Sequence, residues 1–256
     1  MADDDDSRMR SFFGSIKEDI TKAVQSASTS LIFTELPEVR SLELLDRVSI
    51  KLDSTAVSDD LENRISAGHH PQSFEDITIL IRNEDNHKQN IMLAKLSPSK
   101  GIVLTSPSTR DVMIIKTPNN SINNLGKILH PSHSTMYKIV KEGQFSPNWW
   151  ITKTRNNEAF IKIEKVLVSM YPIGKLLGLL HTDCVYWFKK PNGSILGYVR
   201  PKLSKKHATL IVKFMKHERD GQVRAAMLGA SLLLFITEGY PHLREALIDS
   251  NDYHQQ

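Results

Sequence analysis

Ala225-Ala-Met-Leu-Gly-Ala-Ser-Leu-Leu-Leu-Phe-Ile236 is the longest apolar run of the chain. Its dozen residues fall short of the ~20 that a helix needs to span a bilayer. A run this apolar around its whole circumference predicts a buried helix, extending from about Gln222 to Thr237. Pro241 suits the first turn of a short helix after it.

The sequence before this run is written in a different period. Cys184-Val-Tyr-Trp-Phe188 and Ser194-Ile-Leu-Gly-Tyr-Val199 flank a Pro-Asn-Gly turn, where Asn and Gly tolerate positive φ, and together predict a β-hairpin. If Tyr186 and Phe188 face inward, Val185, Trp187 and the turn lysines face outward together. Further upstream, Ile77–Ile81 with Ile91–Leu96, and Gly101–Leu104 with Val112–Lys116, predict two more antiparallel hairpins. Residues 118–135 read as a connection, and Glu158–Met170 places Phe160, Ile163, Leu167 and Met170 on one helical face, with a strand as the alternative.

Towards the front of the chain, residues 1–10 read as a mobile acidic tail. Phe12, Ile16, Ile20 and Val24 make an apolar stripe on a helix running to about Ala27, packed on the domain or docked on a membrane. Glu38–Arg47 suggests a further helix, Val48–Leu52 a strand, and Ser58–Ser73 a loop. The expected fold is α+β: antiparallel, hairpin-rich sheet with an N-terminal amphipathic helix and C-terminal buried helices. It divides into a β-rich part over 11–126 and a basic α+β part over 127–256. No internal repeat is visible.

The 256 residues hold 33 Lys+Arg and 29 Asp+Glu, 40% hydrophobic residues, 12 Gly, 11 Pro and one Cys. That composition excludes a wholly disordered or collagenous chain, and the lone Cys184 excludes a disulfide scaffold and CxxC metal pairs. The Asp3–Asp6 run has the wrong charge for a signal-peptide n-region, so export is not expected. The net charge of +4 conceals an asymmetry. Residues 1–128 carry 15 basic and 19 acidic side chains, whereas Lys127–Arg224 carry 18 and 6.

Motifs for catalysis do not complete themselves. His130-Pro-Ser-His133 supplies an H-x2-H pair without further ligands, and His69-His70 fares the same. Cys184 lacks a partnered histidine. Gly174-Lys175 lacks the rest of a P-loop, and Gly229-Ala-Ser231 sits in a helical run where a nucleophile elbow cannot form. No catalytic residue, metal or cofactor is expected.

Cations interleaved with aromatics are the positive signal. Trp149 and Trp150 precede Lys153 and Arg155; Trp187 precedes Lys189 and Lys190; Tyr198 precedes Arg200, Lys202, Lys205 and Lys206. Basic side chains gain by releasing counterions from a polyanion, and Trp and Tyr either stack on bases or settle at headgroup level. The expected partners are an anionic membrane surface and RNA.

This layout resembles the matrix proteins of negative-strand RNA viruses: the tail Met1–Arg10, the hairpin-rich Ile77–Lys116 and the basic belt Lys127–Arg224. The resemblance implies a non-enzymatic structural protein that attaches to the inner membrane surface and nucleocapsid and self-associates to drive particle formation. It implies a place in the virion and the host cytoplasm, at the inner face of membranes, with nuclear passage open. Tyr240-Pro241-His242-Leu243 looks like the YPxL late-assembly motif that recruits membrane-scission machinery, and Tyr171-Pro172 with Leu176 fits its longer-spaced form. Two alternatives stand beside this: a single-stranded RNA-binding or movement protein using the same belt, and an enzyme whose motif is not recognised.

Overall fold

Twelve short strands pair antiparallel, each with its neighbour in the chain, and the twelfth returns to pair with the first. They are β1 (Arg47–Leu52), β2 (Thr78–Asn83), β3 (Asn90–Ser97), β4 (Gly101–Thr105), β5 (Asp111–Lys116), β6 (Asn124–Leu129), β7 (Thr135–Lys141), β8 (Trp149–Lys153), β9 (Ala159–Leu167), β10 (Cys184–Lys189), β11 (Ile195–Pro201) and β12 (Thr209–Phe214). This computed structural model describes residues 35–53, 77–86, 89–97, 99–118, 123–169, 171–176, 180, 182, 184–203, 209–241, 243, 244 and 247. The result is a closed up-and-down barrel, an architecture that leaves no unpaired sheet edge.

What fills the barrel is the apolar run. Helix α2 (Gly221–Leu234), the second helix after the short α1 (Tyr171–Leu176), is buried at every residue except Gln222. Strands 4.8 Å apart and tilted by about 40° close a twelve-strand barrel at a radius of about 12 Å, which leaves room for one helix on the axis. The wall supplies the other half of the core: Ile50, Ile81, Met92, Leu104, Ile115, Ile128, Ile139, Ile151, Ile163, Phe188, Val199 and Val212 are all buried. Two glycines let helix and wall approach. A Cβ on Gly229 would lie 2.6 Å from Ile128 Cδ1, and one on Gly126 2.7 Å from Leu233 Cδ1.

The helix is held at its first turns by polar groups. Asp220 caps it, accepting from the N–H of Gln222 (2.7 Å) and of Val223. Gln222 exchanges two hydrogen bonds with the backbone of Leu36. Arg224, 2% exposed, donates to the carbonyls of Leu42, Glu43, Leu45, Met215 and Glu218 at 2.6–3.2 Å and lies over the Phe214 ring. Burial lowers its pKa, against the opposing pull of Asp46 and Glu218. A buried cation satisfied mainly by five carbonyls fixes where the helix enters.

Alternate strand connections lie at opposite ends of an up-and-down barrel. One end holds short turns, and three of them are the same five-residue unit: Ser106-Pro-Ser-Thr-Arg110, His130-Pro-Ser-His-Ser134 and Lys190-Pro-Asn-Gly-Ser194. In each, the first residue's N–H donates to the fifth carbonyl, the fourth N–H donates to the first carbonyl, and the fourth residue is left-handed (φ 62°, 69° and 87°). We call this end the turn rim. The other, the loop rim, carries the connections β1–β2, β3–β4, β5–β6, β7–β8, β9–β10 and β11–β12.

Several expectations change. The α+β class is overturned by the closed all-antiparallel barrel with its single long C-terminal helix; the leading helix expected at Phe12–Ala27 lies outside the described residues, as do the acidic tail, Ser58–Ser73 and the His69-His70 pair. Glu158–Met170 contains strand β9, not a helix, because Ile161 and Ile163 face the lumen and pairing on both sides decides between the two periods. Gly126 and Lys127, where the two parts were to meet, are consecutive residues of β6. Glu38–Arg47 shortens to a 3-10 turn at Val39–Leu42. A repeat does exist, in the turns. The three predicted hairpins are present as β2–β3, β4–β5 and β10–β11.

Candidate anionic-surface interface

Strand alternation decides which belt residues face out. Trp149 packs against the core, whereas Trp150 faces out beside Lys162, whose Nζ is 5.6 Å from its ring centre. Tyr186 and Phe188 point into the lumen, and Trp187 lies outside against Tyr198, ring centres 5.2 Å apart. Trp150, Lys162 and Lys189 form one cross-strand row over β8, β9 and β10. Residues 149–153 and 189 are thereby bridged through β9. Arg155 and Lys190 lie in turns of the turn rim, and Arg200 and Lys202 lie towards the loop rim. Lys205 and Lys206 are outside the described residues.

Most of this belt is already neutralised. Lys153 pairs with Glu158 (3.7 Å), Lys162 with Glu142 (2.5 Å), Lys190 with Glu218 (2.8 Å), Lys202 with Glu84 (2.5 Å), and Lys189 with Glu164. Lys162 holds the Glu142 carboxyl down at about 2, helped by Asn148 and Ser146. Burial works against ionisation of Glu218, but its bond from Lys190 and one from the Asp220 N–H prevail and lower its pKa. Glu142 and Glu218 are thus ionised at neutral pH and oppose the charges of Lys162 and Lys190.

A second set of cations has no such partners. Lys116 sits opposite Lys127, and Lys127 opposite Lys138, on the outer face of β5, β6 and β7. Directly opposed side chains on one face lie about 5 Å apart at Cβ, a spacing at which like charges repel. None of the three has a carboxylate partner among the described residues. Lys141, further along β7, donates only to the Gln144 carbonyl among those residues (3.2 Å). The sequence reading missed this row because its members are eleven residues apart. The equal spacing of 116, 127 and 138 is the one signal that could have exposed it.

The barrel's exterior also excludes one membrane arrangement. A membrane-spanning barrel faces lipid with an apolar band and keeps a polar interior. Here the lumen is apolar and filled by α2, and the outer wall carries Lys51, Arg82, Lys95, Lys127, Lys138, Lys162, Glu164, Lys189, Arg200 and Lys213. Among the described residues no helix is long and apolar enough to cross a membrane.

The two Tyr-Pro motifs differ sharply in placement. Leu243 is buried and Tyr240 rests on the Phe235 ring (5.2 Å), so this copy is part of the core's edge. Pro172 and Leu176 of the longer-spaced copy are exposed on α1. The His130–His133 pair forms one of the repeated turns: His130 Nδ1 accepts from the Ser132 N–H at 3.0 Å, and burial lowers its pKa. Among the described residues no three His, Cys, Asp or Glu side chains gather as a metal site.

Comparison with protein-family models, with curated proteins and with solved structures finds no match to this chain. The functional reading therefore stands on the geometry of the surface itself.

Proposed function

We propose that this chain is a non-enzymatic attachment protein that binds an anionic membrane surface through the lysine row of β5–β7. The observation that carries the reading is the direct opposition of Lys116, Lys127 and Lys138 without carboxylate partners among the described residues. Three cations held on a rigid sheet are repulsive by themselves and become favourable over acidic headgroups. Near such a surface each is worth about 1 kcal/mol, about fivefold in affinity. Many copies side by side on one surface would bind firmly through individually weak contacts, which is the matrix-like part of the reading.

Vesicle flotation tests it. The full chain is expected to float with vesicles containing acidic lipid and not with neutral ones, and to be released by salt because screening weakens the attraction. Equal flotation on both vesicles, or on neither, removes the reading. The sequence's second reading, single-stranded RNA on the same cations, is decided by a binding isotherm across salt: tight binding with a steep salt slope, together with no acidic-vesicle flotation, would assign the surface to RNA instead.

A further inference from the structure

Among the described residues the large exposed apolar side chains are not scattered over the barrel. Phe145 (93% exposed), Leu176 (87%), Leu167, Ile173 and Leu203 all lie on the loop rim, on the three successive connections β7–β8, β9–β10 and β11–β12 or at a strand end leading into one. Of the large apolar residues exposed elsewhere, Leu44 and Ile195 lie at the turn rim. Asn148 Oδ1 accepts from the Lys165 N–H at 3.1 Å, tying the β7–β8 loop to β9.

We propose that this rim inserts its apolar side chains into the headgroup and upper acyl region of the bilayer, so that the barrel docks with the loop rim down and the β5–β7 wall leaning on the surface. The inference deepens the attachment reading and rests on it. Three observations commit the rim to lipid. The apolar groups stand on three connections, Phe145 on one, Leu167, Ile173 and Leu176 on or beside the next, and Leu203 on the third, a dispersed form that suits a fluid partner better than a rigid one. The cations beside them, Lys141 and Lys175, have no carboxylate partner among the described residues, while the loop-rim carboxylates Glu142 and Glu238 are paired with Lys162 and Lys165, so the charge left over around the apolar groups matches an acidic leaflet. Strand β7 runs from one surface to the other: Lys138 lies in the row on its outer face, and Lys141, on the opposite face at the strand's end beside Trp149, leads into the loop with Phe145. The opposite rim is mixed in charge: one cleft of about 790 Å³ is lined by Glu35, Glu38, Glu43 and Asp220 with Arg40 as its one cation, and a second sets Lys216 and Arg219 beside Glu43, Asp46 and Asp85.

The test places an environment-sensitive fluorophore on Phe145→Cys, and separately on Leu44→Cys, in the full chain; Cys184 is buried and does not compete for the label. On acidic vesicles the label at 145 is expected to shift to the blue and to be quenched by spin-labelled lipid, while the label at 44 stays in water. Phe145→Ser combined with Leu176→Ser is expected to lower acidic-vesicle binding about tenfold, a loss that persists at high salt because it is apolar in origin. A label at 145 that stays in water on vesicle-bound protein overturns the insertion while leaving attachment intact. Equal shifts at 145 and 44, or a concentration-dependent dimer that the double variant abolishes, overturn it as well. A chain that does not bind acidic vesicles at all fails the attachment reading before the insertion is reached.

Discussion

The two rims of this barrel are made from the same strands and carry opposite chemistry. At the turn rim the connections are short and repeated, and the buried Arg224 ties the helix entrance to five carbonyls. Its cations are largely matched: Arg47 with Asp85, Lys190 with Glu218, Arg110 with Glu38 (3.1 Å). The loop rim displays five large exposed apolar side chains and lysines without carboxylate partners among the described residues. The helix entrance is anchored at one end and the exposed apolar side chains are gathered at the other, a separation that lets loops vary on a scaffold already closed.

That contrast predicts which measurement each substitution moves. Arg224→Leu should have the largest effect. It leaves buried carbonyls at the helix entrance without their donor, at about 1–3 kcal/mol for each that finds no replacement, for an expected loss of about 3–5 kcal/mol. Urea unfolding reads this loss, and any variant that still folds should keep its vesicle affinity. Gly229→Ala comes next. The new methyl meets Ile128, an overpacking cost of about 1–3 kcal/mol set against roughly 1 kcal/mol of improved helix propensity, so the expected net is a loss of up to about 2 kcal/mol. A gain in stability would mean that Ile128 yields freely and that the lumen is looser than described.

His133→Gly should act in the opposite direction. Relief of the left-handed backbone at φ 69° is worth about 1 kcal/mol, partly offset by the greater freedom of glycine in the unfolded chain. Thermal unfolding would register a small rise, with vesicle binding unchanged.

The smallest effect is on the loop rim and depends on pH. Glu142 bonds Lys162, Asn148 and Ser146, and its folded pKa of about 2 lies below its ordinary value of 4.5. A carboxylate depressed in this way stabilises the fold above its unfolded pKa, and the contribution fades as the pH falls from about 4.5 towards 2. Wild type and Glu142→Gln should therefore differ most near neutrality and converge through that window in acid urea titrations. A difference that grows in acid would contradict the assignment.

How far the sequence could be read follows from what is local in it. Hairpins announced by a turn between two β-rich runs were legible, and so was the burial of Ala225–Ile236, because a helix apolar on all sides has nowhere to go but inside. Closure was not legible. It depends on β1 finding β12, a pairing of Ile50 with Leu210 across most of the chain, and no local pattern encodes it. Thr209–Phe214 and Thr135–Lys141 drew no attention as strands since their meaning lies in their neighbours. The turns escaped as a repeat because Ser-Pro-Ser-Thr, His-Pro-Ser-His and Lys-Pro-Asn-Gly lie far apart in the chain and share throughout only the proline at the second position, and the His-Pro-Ser-His copy drew attention to metal chemistry. The belt residues were correctly seen to be basic, but their net contribution depends on carboxylates such as Glu142, Glu164 and Glu218 that come from other strands or loops. The lysine row was invisible for the same reason: register, not proximity in sequence, brings 116, 127 and 138 together.

Matched charge neutralisation tests the central claim most directly. Lys116, Lys127 and Lys138 would be changed together to Gln in one protein, and the carboxylate-paired Lys153, Lys162 and Lys189 in another, giving both the same net charge. Binding to acidic vesicles at low salt is expected to fall on the order of a hundredfold in the first and only slightly in the second. Equal losses in the two proteins would show that overall charge, rather than the uncompensated row, governs attachment.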